Sequence, residues 1–269
     1  VPPPPPARLA GWAGAALASA GALAAASLAA PHVPVSPITA YLAGFVAVSA
    51  MTLATAAAAP RLPRAALAGV LLAIAALVLV QALGLARGAS VPGAAVITVA
   101  LLLGATCIGS VVGSAMQHPG HLLVVAVVFT LVDTFSVFHE AGPTAAIVQH
   151  EELLSLLALP FPMLGTPGPA IEPFLGLGDV IAAALFVSAA RTHDLGAART
   201  MVALAGAFAL TMVAVLTTEL PLPVLPFMAA AMLVAHPRAR QLPREDRKPA
   251  AIGLGVLMIV YAIVWRVTG

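Results

Sequence analysis

Charge is what this sequence has least of. Of 269 residues only 8% are Asp, Glu, Lys or Arg against 61% hydrophobic ones, and the mean hydropathy is +1.07. Soluble domains carry about a quarter charged residues, so this chain is built for lipid rather than water. Cysteine is nearly absent. Cys107 alone excludes an internal disulfide and a cysteine-rich metal site, and it reads as a small apolar helix residue. Aromatics are sparse at 5%. There is no phosphate loop, Ser-His-Asp signature or nucleotide fingerprint. The net charge of +2 and the pI near 9.2 do not point to nucleic acid, because the cations sit at the ends of apolar runs, where they orient helices.

Long apolar runs are what remains. Each is about 17 to 25 residues, enough to cross roughly 30 Å of hydrocarbon as a helix. The expected fold is therefore all-α, a polytopic transmembrane helical bundle of about nine spans. They run near Leu9 to Ala30, Pro37 to Ala59, Arg64 to Ala86, Pro92 to Met116, His121 to Phe138, Phe174 to Ala190, Ala198 to Thr217, Leu220 to Ala235 and Ala250 to Trp265. Residues 1–8 read as a stiff, proline-rich lead-in to a trimmed or processed chain, with a further upstream helix left open. Residues 9–120 form the N-terminal helices, packed through Ala and Gly; 121–235 hold the candidate core; 236–269 hold a basic loop and the last helix. Alternating sides through nine spans puts ten of the twelve cations on one side and only Arg87 and Arg266 on the other. The positive-inside tendency makes the first side cytoplasmic, so the connection from His139 to Pro173 is expected outside. That connection holds Glu151, Glu152 and an apolar stretch broken by Pro160 and Pro162, read as a surface-lying loop or as a substrate gate or docking segment.

Eight of the ten acidic residues fall in connections or at span ends, but Asp133 and Asp179 lie inside apolar runs. An ionised carboxylate at such depth costs at least about 2 to 3 kcal/mol, so its presence there is a functional hypothesis by default. A helix-bridging hydrogen bond is the structural alternative; an ion pair fits poorly, because no Lys or Arg lies inside a span. Asp133 is six residues before His139 and Asp179 seven after Glu172, which on a helical rise puts both roughly 9 to 11 Å below the outer boundary. Two close carboxylates in a low dielectric share a proton and titrate as a coupled pair. One can then act as general base on water while the other polarises a peptide carbonyl. Gly176 and Gly178 allow a loosened helix start and close approach of another backbone to Asp179.

Val132-Asp133-Thr134-Phe135 resembles the Tyr-Asp segment of signal peptide peptidases, with Val132 in place of the tyrosine. Gly176-Leu177-Gly178-Asp179 is similar to the Gly-x-Gly-Asp segment those enzymes share with presenilins. Pro223-Val224-Leu225-Pro226 resembles the family's Pro-Ala-Leu motif, with Val224 in place of the alanine. The resemblance covers roughly His121 to Ala235. It implies a presenilin-like fold and an intramembrane aspartyl protease with Asp133 and Asp179 as catalytic residues. Gly176, Leu177, Gly178 and Pro223 to Pro226 would then contact substrate. Transmembrane peptides or proteins, such as signal-peptide remnants, are the implied substrates, in the bilayer of a prokaryotic plasma membrane with the site toward the outside. No cofactor and no metal are implied. The family places its first aspartate in the sixth helix, whereas the count here gives the fifth.

Other readings use the same residues. A prepilin-type peptidase also has Gly-x-Gly-Asp but cuts at the cytoplasmic face. A proton-coupled transporter could use both aspartates as a relay, although no inverted repeat of broken helices is evident. A silent membrane scaffold is a third. His118, His121, His139 and His150 lie in or beside connections without a Glu or Cys constellation, and HPGH at 118 to 121 reads as an interfacial turn. Glu219 reads as an outer-interface residue.

Overall fold

The structure is a computed structural model that describes residues 6–61, 67, 70–71, 74–75, 91–139, 142, 150, 154, 156–166 and 170–268. Eight helices and one hairpin are defined in it: α1 (Pro6–Ala29), α2 (Pro37–Ala58), α3 (Val91–Ala115), α4 (His121–Phe138), β1 (Ala158–Pro162), β2 (Ile171–Gly176), α5 (Leu177–Thr192), α6 (Ala197–Thr218), α7 (Leu225–Ala235) and α8 (Arg244–Thr268). Among the described residues, six helices are long and apolar enough to cross a membrane. The chain is a multi-pass helical membrane protein. Most of the expected span from Arg64 to Ala86 lies outside the described residues, as do Glu151 and Glu152; Leu67, Val70, Leu71, Ile74 and Ala75 of that span are helical.

The chain forms two compact units that interleave along the sequence. The first takes residues 1–114 and 154–188. Ser36 caps α2, accepting from the Thr39 amide at 3.2 Å with Pro37 in the first turn. Trp12 joins α1 to α3 by donating from Nε1 to Thr106 Oγ1 at 2.9 Å, beside Cys107, Ala59 and Val111. Gly109 of α3 lies against α5 so closely that a side chain there would stand 2.8 Å from Ala184 Cβ, and Ser188 Oγ donates to the Ser110 carbonyl at 2.9 Å. Val180 and Ala182 to Val187 are buried whichever way they point. A helix apolar on every side is a core helix, which is why α5 persists with 16 residues.

Ahead of α5 the chain is extended, and this corrects the sequence reading at two places. The segment read as a surface-lying loop or gate contains β1, whose five residues are all buried, paired antiparallel with β2 from Ala158↔Gly176 to Pro162↔Ile171. The span expected from Phe174 begins as a helix only at Leu177, so a helical rise no longer measures the depth of Asp179. The hairpin packs on α1 and α2. Its tip is tied down where Gly165, at φ +78°, donates its amide to the Ala30 carbonyl at 2.9 Å. That backbone conformation suits glycine alone without strain.

The second unit takes residues 115–153 and 189–269. Here α7 packs against α4 and α6, and α8 against α4. Pro119-Gly120 makes the turn into α4, as HPGH suggests, and Gly120 N donates to His118 Nδ1 at 2.9 Å. The same end is held by His121 Nε2 with Asp246 Oδ2 at 2.9 Å, and by Thr200 Oγ1 with buried His236 Nε2 at 2.9 Å. Burial, and then the Arg199 charge, hold the His236 imidazole below its usual pKa. None of the α8 span is buried in the protein.

Candidate active site

Each of the two candidate aspartates is held by a main-chain amide at or just before the start of a helix. Asp133 sits near the end of α4, half-buried, and its Oδ2 accepts from the Leu225 amide at 2.9 Å. The sequence explains why that amide is free. Helix starts leave their first N–H groups without intrahelical partners. Pro223 and Pro226 have no N–H to give, and the next two amides, of Phe227 and Met228, both turn to the Val224 carbonyl at 3.1 Å. Asp133 therefore caps α7 from another helix, at the end where the helix dipole favours an anion. The resemblance gives the segment Pro223 to Pro226 a part in contacting substrate; the hydrogen bond that the structure gives it goes to Asp133. This is also the helix-bridging bond that a purely structural aspartate would make.

Asp179 is the third residue of α5, half-buried, and its Oδ2 accepts from the Gly176 amide at 3.2 Å. Gly176 is the last residue of β2, so the strand delivers its final N–H directly to the carboxylate. A side chain at Gly176 would come within 3.5 Å of that oxygen, whereas one at Gly178 would meet nothing within 4 Å among the described residues. Among these residues the space beside Gly178 is open, as close approach of a second backbone requires. Leu177 opens the helix between them. Within the sheet β2 pairs only with β1, leaving its other edge without a strand among the described residues.

One feature of the Asp133 side is absent from the sequence reading. Tyr261 of α8 donates its hydroxyl to the Leu131 carbonyl at 2.6 Å, and its ring meets Phe135 edge-on at 4.8 Å. Trp265, one turn further, packs edge-on against His139 at 4.7 Å, and His139 stacks on Phe135 at 4.6 Å. The turn of α4 that carries Asp133 is thereby braced by α8. The available signal was a tyrosine and a tryptophan four apart in an otherwise aliphatic span, a pairing that lands on one helix face. Among the described residues no group of His, Cys, Asp or Glu could hold a metal. No protein-family profile, curated protein or solved structure matches the chain.

Proposed function

We propose that the chain is an intramembrane aspartyl protease, with Asp133 and Asp179 acting as one proton-sharing pair on a peptide bond of a transmembrane substrate. The observation that carries this reading is the join between β2 and α5: a strand with an open edge runs straight into the helix turn that holds Asp179, beside the empty space at Gly178. A helical substrate hides its carbonyls in its own hydrogen bonds. Pairing with a strand edge draws the segment into extended form and exposes them. One ionised carboxylate then takes a proton from water as the water oxygen bonds to the carbonyl carbon. The other, protonated, donates to the carbonyl oxygen. Collapse breaks the C–N bond, and the proton taken from water passes to the leaving amine. A transporter relay has use for the two acids but not for an open strand edge, and this favours proteolysis. Purified protein is expected to cut a labelled transmembrane peptide, and a transition-state-analogue aspartyl protease inhibitor is expected to stop it. Uptake of a solute driven by protons, without any cut peptide, would replace this reading with the transporter.

Orientation belongs to the same proposal: the connection from His139 to Pro173 outside, and Pro237 to Pro249 inside. In intact cells a cysteine at Gln149 should react with a membrane-impermeant reagent and one at Gln241 should be protected, the buried native Cys107 being silent. The reverse pattern would place the site at the cytoplasmic face and favour a prepilin-type peptidase.

A further inference from the structure

We propose that Gly44 of α2 and Phe174 of β2 form a positioning pair that sets where β2, and through it Asp179, stands for the reaction proposed above; the inference rests on that reading. Gly44 is buried, and the Phe174 ring lies directly over it. A Cβ at Gly44 would stand 2.8 Å from two ring carbons of Phe174 and closer still to the ring tip, so the ring occupies the place of the missing side chain. Ordinarily a ring tip swings aside. This one is flanked by Tyr41, one turn earlier on α2, at 5.2 Å and by Phe161 of β1 at 6.5 Å. With neighbours on two sides, a ring pushed off Gly44 presses on Tyr41, on Phe161 of the paired strand, or on its own strand.

Phe174 itself stands at the irregularity of the hairpin, between the pairs Pro173↔Pro160 and Leu175↔Leu159, but the chain directly after it is held. Leu175, the next residue, is 2% exposed, and Gly176, the one after, gives its amide to Asp179. Five residues therefore link the Gly44 notch to the carboxylate, through one buried side chain and one hydrogen bond. Misplacing a reacting group by about 1 Å costs on the order of 100-fold in rate. Gly44 and Phe174 touch no reacting atom, and their part is positional.

The test is a pair of compensating substitutions in the full-length protein. Gly44→Ala should lower kcat/KM for the labelled peptide about tenfold or more, and adding Phe174→Leu, which shortens the side chain over the notch, should recover most of it. Phe174→Leu alone only removes packed apolar volume and should lower stability, so recovery in the double variant reads relief at the Gly44 notch and not the loss of volume itself. Pulsed electron spin measurements between nitroxides at the exposed positions Ile38 and Glu172, with Cys107→Ala, read the same movement without activity. The distance should shift or broaden in Gly44→Ala and return in the double variant. An unchanged rate and distance in Gly44→Ala, or a double variant no better than the single, overturns the proposal. If Gly44→Ala does not accumulate, accumulation of the double variant supports the pair and its failure to accumulate overturns it. If wild-type protein cuts nothing, the protease reading falls, while the spin distances still decide whether Gly44 and Phe174 set the strand.

Discussion

On the proposed mechanism, Asp133→Asn and Asp179→Asn should each reduce cleavage of a transmembrane peptide by at least about 100-fold, the low end of what a general acid or base contributes, while the protein remains folded in the membrane. Asparagine keeps the shape and one carbonyl oxygen, so residue 133 can still accept from the Leu225 amide and residue 179 from the Gly176 amide. What it cannot do is take up or release a proton near neutrality. Activity is lost with the hydrogen bonds intact, and that separates a catalytic aspartate from one that merely caps α7. Asp133→Ala serves as the control: it strands a buried amide, at about 1 to 3 kcal/mol, and should lower the unfolding temperature as well as the rate. Should either Asn variant cleave at close to the wild-type rate, the two-carboxylate mechanism is wrong.

The second large effect concerns the prolines. Pro223→Ala with Pro226→Ala should reduce cleavage about tenfold or more with little loss of folded protein, because α7 is then able to grow backward. As the helix extends, the Leu225 amide acquires an intrahelical carbonyl four residues earlier and turns away from Asp133. The two prolines keep that amide available to the aspartate by giving no N–H of their own and by stopping the helix where it starts. Hydrogen exchange at Leu225 reads the change independently of rate. A double variant with the wild-type rate and an unaltered Leu225 amide would show that the helix start is set by packing instead.

The parts of the fold governed by local composition were legible. Apolar runs bounded by Pro, Gly and charge located α1, α2, α3, α4, α6 and α8 to within a few residues, apart from α8, which starts six residues early through its charged first turns. The two aspartates stood out because an acid inside an apolar run has a large free-energy cost that must be met. The hairpin was hidden for the opposite reason. Leu159-Pro160-Phe161-Pro162 and Ile171-Glu172-Pro173-Phe174 read as broken loop and span start, since proline disfavours sheets and strand pairing is set by residues distant in sequence. The partner of Asp133 was equally hidden. It is a backbone N–H, present at every residue but proline, and only the fold shows which one is free. Gly44 looks in sequence like any helix-packing glycine until Phe174 is seen to fill it.

The helices that carry the two motifs, α5 with 16 residues and α7 with 11, are about 24 Å and 16 Å long at the usual rise, short of the roughly 30 Å hydrocarbon slab. Such hydrophobic mismatch is relieved by local thinning of the bilayer or by non-helical chain and water reaching below the headgroups. Here the non-helical chain is β2 before one helix and the proline segment before the other, each ending at a carboxylate. The proposed hydrolysis would consume water in a medium that excludes it. On that reading the shortness of α5 and α7 is what would let solvent reach each acid.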